Sequence, residues 1–269
     1  MSEKKATRNA YGDALVALAD RYPELIVLEA DLAGATMTKG FKAAYPQRFF
    51  DMGIAESNMQ GVAAGLSTCG FKPFTNTFAM FAAGRSWEQV RNSIAYPGMN
   101  VKVVGSHGGL SVGEDSATHQ CIEDFSLMRT IPGMTVLCPC DANEMTLAVE
   151  ALLQYEGPAY MRLGRSAVET VTDSIPGYHF QLGKGVTLRD GKDVTIPLDV
   201  RLSPSANAQK YFRDYKKKQT AAKMLVKLLA EGEQEIAYLE TVLYEVESAP
   251  GEQALGEIRA ELKSQGYLK

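Results

Sequence analysis

Continuous apolar runs recur through the first two thirds of the chain, separated by stretches whose apolar positions follow a helical period. Residues 24–30, ELIVLEA, make a continuous apolar strand of the kind buried on both faces of a parallel sheet. Residues 49–52, 71–78, 101–105, 134–138 and 159–163 read as further strands. Between them lie helical stretches. Residues 6–19 place Ala10, Leu15, Ala17 and Leu18 at helical spacing, and Pro23 follows. Further helices are predicted over 36–45, from Glu56 to Gly70, and over 80–94, 124–129 and 141–153. Asp141 heads the last of these with Glu144 three residues on, the pattern of a capping box. Strands alternating with helices predict an α/β domain: an open, mostly parallel sheet with helices on both faces.

The rhythm changes near Ile196. From Ser205 onward Ala208, Tyr211, Tyr215, Ala222, Leu225, Leu229, Ile236, Leu239, Leu243 and Val246 fit one heptad frame, interrupted at Lys218 and Gly232. Ala249-Pro250-Gly251 turns the chain, and 252–262 returns as a second helix. The expectation is an all-α helical hairpin or coiled-coil tail. Charge changes at the same place: 38 of the first 196 residues are charged, against 22 of the last 73. All three histidines, all four cysteines and 20 of 24 glycines precede the break. Lys210, Arg213, Lys216, Lys217, Lys218, Lys223 and Lys227 form a basic run, read either as a solvated helix face or as an RNA contact without an aromatic platform.

Composition narrows the class. A net charge of -4 does not describe a nucleic-acid-binding chain overall. Cys69, Cys121, Cys138 and Cys140 lack the spacing of a metal site and read as buried, reduced thiols. No signal-like segment and no apolar run of about 18 residues is present, which leads to the expectation of a soluble cytoplasmic protein without membrane contact.

In a parallel sheet, active groups gather at the carboxyl ends of the strands. Asp31, Glu56, Phe78–Phe81, the loop from His107 to His119, and Arg162–Arg165 all follow predicted strands and are expected to share that rim. Glu56 begins a helix thinned by Gly61, Ala63, Ala64 and Gly65. Small apolar surroundings disfavour an ionised carboxyl, so Glu56 is a candidate to share a proton with a ring nitrogen, the alternative being a first-turn acid favoured by the helix dipole. His107 and His119 bracket GGLSVGEDSAT, with Asp115 four residues before His119. This loop reads as a polyol and carbonyl site, a zinc site lacking a third soft ligand, or plain surface. Arg8, Arg162 and Arg165 are candidate anion clamps. Phe78 and Phe81 are spaced to pack in a core or to stack on a heteroaromatic ring.

GIAESNM, TFAMFAAGR and SHGGLSVGEDSATHQ resemble the pyrimidine-binding domain of transketolase, above all the carboxyl-terminal chain of split, two-gene transketolases, over residues ~5–196. The resemblance implies that Glu56 hydrogen-bonds the aminopyrimidine of thiamine diphosphate and promotes the imino form that removes the thiazolium C2 proton. It implies that Phe81, with Phe78 nearby, stacks on that ring, and that Asp31, in ADLA, lies near the cofactor. His107, Asp115 and His119 would bind the sugar's carbonyl and hydroxyls; Arg8, in ATRNA, and Arg165, in LGRS, would bind its phosphate. His107 and His119 thus join Glu56 as the implied catalytic set. Arg162 has no counterpart. Where the family often has serine this chain has Ala35, and Thr36 is the candidate replacement.

The sequence lacks the Gly-Asp-Gly and Asn pattern that holds magnesium and diphosphate in the family. The resemblance therefore implies a partner subunit that binds the diphosphate and Mg2+, with sugar phosphates as substrates and a homodimer within a heterotetramer as the assembly. Residues 183–196 resemble the first strands of the family's third domain. LDVRLSPSANAQKYF and the helices beyond it resemble the NFACT family, also called fibronectin-binding-protein-A-like, over ~197–269. Three segments follow: 1–170, a pyrimidine-binding domain; 171–196, a linker and truncated third domain; 197–269, a coiled-coil tail. The change of family suggests a chimera. The competing reading makes the chain a ribosome- or RNA-associated coiled coil carrying an inactive α/β passenger.

Overall fold

The computed structural model describes residues 4–185 and 204–268. It contains two compact units, Met1–Lys210 and Tyr211–Lys269. The resemblance read at 183–196 and the junction at 196–197 lie, from residue 186 on, outside the described residues.

The first unit runs β1 (Lys4–Ala6), α1 (Thr7–Leu18), β2 (Leu25–Glu29), α2 (Ala33–Thr36), α3 (Lys39–Ala44), β3 (Phe49–Asp51), α4 (Glu56–Thr68), β4 (Lys72–Phe78), α5 (Trp87–Gln89), β5 (Lys102–Ser106), α6 (Asp124–Arg129), β6 (Thr135–Leu137), α7 (Ala142–Gln154), β7 (Ala159–Arg162) and β8 (Ala167–Glu169). Six strands form one sheet in the order β3-β2-β4-β5-β7-β6, every pair parallel. All five residues of β2 are buried, as a strand covered on both faces requires. On one face α1, α3 and α7 pack Leu15, Phe41 and Val149 against Val27 and Phe74. On the other, Met59, Ile94 and Met128 pack on Leu28 and Val103. The expected α/β sheet with helices on both faces is what forms, and an all-helical segment follows it.

Strand order reverses about β2, since β3 lies on one side of it and β4 on the other. The crevice at the carboxyl ends of β2 and β4 is where such sheets take ligands. Register aligns that rim: Glu29 pairs with Asn76, Phe78 with Ser106, and Gly105 with Arg162.

Four local departures matter. The helix expected over 36–45 is broken at Met37, which takes φ 69° and separates α2 from α3. The helix expected over 80–94 is instead two π-helical turns, Phe81–Arg85 and Val90–Ala95, either side of α5. β1 and β8 pair as an unforeseen antiparallel ribbon. The capping box at α7 forms with a shift: Asp141 accepts from the Glu144 N–H at 2.9 Å, but Glu144 accepts from the Cys140 N–H at 2.6 Å.

The second unit continues α8 (Pro204–Ser248), which passes through Lys218 and Gly232 unbroken, and returns as α9 (Glu252–Ser264). Tyr238 donates to Glu261 at 2.8 Å and Tyr267 to Glu235 at 2.9 Å, so the two helices are tied at this end. The heptad positions Leu225 and Leu229 upstream, and Ile236 beside these contacts, are exposed, so the expected seam is not buried by the described residues. No helix among the described residues is long and apolar enough to cross a membrane.

Candidate active site

Phe78 ends β4 beside Ser106, the end of β5, and His107 then enters the left-handed region at φ 60°. That turn lays the imidazole against the Phe78 ring, 4.4 Å between centroids. Gly109, at φ 83°, donates its N–H to the Cys121 carbonyl at 2.7 Å and closes the loop at its base. His119 then comes edge-on to Phe78 at 5.6 Å and to Phe81 at 5.1 Å. The two histidines thus flank one phenylalanine.

Arg8, in the first turn of α1, donates to the Ala35 carbonyl at 2.9 Å and lies 3.3 Å from His107 Nε2. A guanidinium has no lone pair, so Nε2 is the acceptor and Nδ1 carries the proton, donating to Ser106 Oγ at 2.8 Å. Burial, then Arg8 and Arg165, push the His107 pKa down to about 4. His107 is therefore a neutral imidazole near pH 7. Burial and Arg165 likewise lower the pKa of Arg8, and Arg8 Nε is buried without a partner among the described residues. Two neighbouring cations, one with an orphaned donor, make a place for an anion. Arg165 reaches it past Gly113, where an added Cβ would lie 2.1 Å from the Arg165 guanidinium. Asp115 is exposed and acts on His107 through its charge.

Glu56 opens α4 with 2% of its surface exposed. Its surroundings are not the small apolar set expected. Arg85 Nη1 donates to both carboxylate oxygens, at 3.0 and 3.1 Å, and the same guanidinium lies 4.3 Å over the Phe81 ring. A continuous line of contacts therefore runs Arg8, His107, Phe78, His119, Phe81, Arg85, Glu56. Among the described contacts none joins Asp31 to that line. Asp31 is exposed at φ 59°, its N–H on Asp51 at 3.2 Å.

Other expectations need correction. Arg162 is not available to an anion. Its Nε donates to Asp124 at 2.8 Å, a second N–H meets the other carboxylate oxygen, and Tyr160 donates to the same acid at 2.7 Å. Its guanidinium also covers the Phe125 ring at 3.7 Å. Thr36 does not replace the missing serine: it is buried and donates to Glu29 at 2.7 Å. Of the cysteines only Cys121 is buried, because β6 stops at Leu137 and leaves Cys138 and Cys140 past the sheet edge, while Cys69 follows α4. No group of three His, Cys, Asp or Glu among the described residues is placed to hold a metal ion.

Three residues escaped the sequence reading: Arg85, Asp124 and Glu29. Glu29 is fully buried, accepts from Thr36 and from Thr38 at 2.5 Å, and its Oε1 has no hydrogen-bond partner among the described residues. Burial pushes its pKa up to about 7, against the bonds from Thr38 and Thr36 and a backbone bond from Ala30. An acid inside an apolar strand was the available signal.

Comparison with known proteins supplies the remaining information. Residues 3–170 match the family model "Transketolase, pyrimidine binding domain", and residues 178–269 match "NFACT N-terminal and middle domains". A putative transketolase C-terminal section from Methanocaldococcus jannaschii is 45% identical over 192 residues, covering 71% of this chain and 61% of that protein. One chain of an apulose-4-phosphate transketolase from Phocaeicola vulgatus is 38% identical, with 71% and 61% covered. A 6-deoxy-6-sulfo-D-fructose transketolase subunit from Clostridium sp. is 42% identical, with 72% and 60% covered. A solved structure described as a split gene transketolase, inactive beta4 tetramer, aligns with TM-score 0.62 and 50% identity over 71% of this chain and 61% of that one. The chain thus spans about three fifths of the length of these relatives.

Proposed function

We propose, for a chain that belongs over residues 3–170 to the transketolase pyrimidine-binding domain family, that it is the pyrimidine-side subunit of a thiamine-diphosphate-dependent transketolase moving a two-carbon ketol unit between sugar phosphates. The observation that carries the reading is the line of contacts from Arg8 to Glu56, which sets a buried acid, two phenylalanine rings, two histidines and an anion site side by side along one sheet rim. Thiamine diphosphate, when bound, supplies the carbon nucleophile and electron sink for the transfer.

The residues fit that group. Glu56, held at a helix start and nearly enclosed, presents a carboxyl to a ring nitrogen. Phe81, half-buried, offers a ring face, and Phe78 backs it. Asp31 lies at the same end of the sheet and is assigned to the cofactor's surroundings. Neutral His107 presents Nε2 as an acceptor for a sugar hydroxyl, and His119 and Asp115 complete the polyol contacts. Arg8 and Arg165 grip a terminal anion. The relatives named for apulose-4-phosphate and for a sulfo-sugar both point to sugars carrying such a charge.

Diphosphate and Mg2+ belong, in this reading, to a partner subunit. Gly61 and Gly65 on α4 support a second chain at this surface: an added Cβ at either would meet nothing within 4 Å, so their small size serves no neighbour among the described residues. A homodimer of this chain within a heterotetramer is the assembly we assign. The divisions at 170 and 196, and a chimeric origin for the tail, belong to the same proposal. Mixing the chain with a diphosphate-binding subunit is expected to give thiamine-diphosphate-dependent ketol transfer, abolished by Glu56→Ala; unchanged activity in that variant contradicts the assignment.

A second reading rests on the match at 178–269. It makes the tail a ribosome- or RNA-associated helical module, using Arg213, Lys216 and Lys223 on α8. Cosedimentation with large ribosomal subunits at low salt is its expected signature, and absence of pelleting removes it.

A further inference from the structure

Arg85 and the ring assigned to this site need the same atoms. One guanidinium nitrogen reaches both oxygens of Glu56, and the guanidinium plane covers Phe81. A planar, delocalised cation lying on an aromatic face and gripping a carboxylate has the outline of a flat heterocycle doing both. The guanidinium fills the place between the Glu56 carboxylate and the Phe81 face that a ring contacting both would take.

The two partners differ in how firmly they are held. The Glu56 side chain is 2% exposed, whereas that of Arg85 is 49% exposed. Glu56 is fixed in the first turn of a 13-residue helix, α4. Arg85 ends a π-helical turn closed by the wide Ser86 N–H to Phe81 carbonyl bond at 3.1 Å. Such turns are found frequently at functional sites. The side chain with an open path to solvent is therefore Arg85.

We propose that Arg85 is a displaceable stand-in for the aminopyrimidine ring: it grips Glu56 and covers Phe81 until the cofactor enters, and then swings out to solvent. This inference rests on the cofactor reading above and extends it. Arg85 is a positioning residue that acts through Glu56, and its grip subtracts from cofactor affinity. Removing it relieves the competition.

The test is titration calorimetry of thiamine diphosphate into this chain reconstituted with a diphosphate-binding transketolase subunit. Arg85→Gln is expected to tighten Kd by roughly two- to tenfold, the range of a partly exposed charge-assisted pair. Arg85→Lys keeps the charge without the planar stack and is expected to tighten Kd by less. Loss of a purely structural contact would weaken binding, so the direction of change is diagnostic. Kd unchanged or weakened in both variants overturns the inference while leaving the cofactor reading intact. Should Arg85→Gln fail to fold, Arg85→Lys alone decides. Absence of cofactor binding in wild type and variants alike overturns the cofactor reading, and the inference with it.

Discussion

Arg162 and Asp124 meet as a two-pronged ion pair beside the turn that carries His107. Asp124 is fully buried, Tyr160 donates to it as well, and the aliphatic stem of Arg162 passes so close to Gly108 that an added Cβ there would lie 2.6 Å from Arg162 Cγ. The pair ties α6, β7 and the histidine loop together. Removing one member strands a buried charge. Asp124→Ala is expected to cost about 3–5 kcal/mol in urea denaturation, whereas an anion-clamp role for Arg162 would leave stability unchanged.

Arg165 reaches the anion site only because residue 113 has no side chain. Gly113 combines φ 87° with the guanidinium in the space of a Cβ. Gly113→Ala is expected to push Arg165 away and to raise KM for a phosphorylated acceptor about tenfold, the loss of one charge-assisted hydrogen bond. A neutral polyol acceptor should show little change in KM, and steady-state kinetics with both separates the two.

Glu29 and His107 set opposite pH slopes. Glu29 rises from 4.5 to about 7 on folding, so its contribution is full below 4.5 and is lost as pH climbs toward 7. His107 falls from 6.5 to about 4, so its contribution is full above 6.5 and is lost as pH falls toward 4. Between 4.5 and 6.5 the two oppose each other. Glu29→Gln removes one slope. Its stability relative to wild type is expected to improve by an amount of the order of 3 kcal/mol between pH 4.5 and 7, read from denaturation midpoints at each pH.

Much of this site was legible in the sequence because its residues follow apolar strands. ELIVLEA and VKVVG announce β2 and β5, and each is followed by its polar cluster. The pairing of Phe78 with the histidines follows from one parallel sheet. The role of Arg162 was not legible, because its partner lies 38 residues away and a guanidinium past a strand reads alike whether it binds a substrate or an acid. Arg85 was hidden by a periodicity that predicts an α-helix where π turns form, and its partner Glu56 lies 29 residues away. The three-residue strands β1 and β8 are too short to carry a period. Glu29 was passed over because its neighbours are so apolar.

The account depends most on what Glu56 touches when the site is filled. A crystal structure of this chain with its diphosphate-binding partner and thiamine diphosphate measures that contact. The account predicts the Glu56 carboxyl within about 2.6–3.2 Å of a pyrimidine ring nitrogen, with Arg85 turned out to solvent. A ring bound elsewhere, with Glu56 still on Arg85, would contradict it.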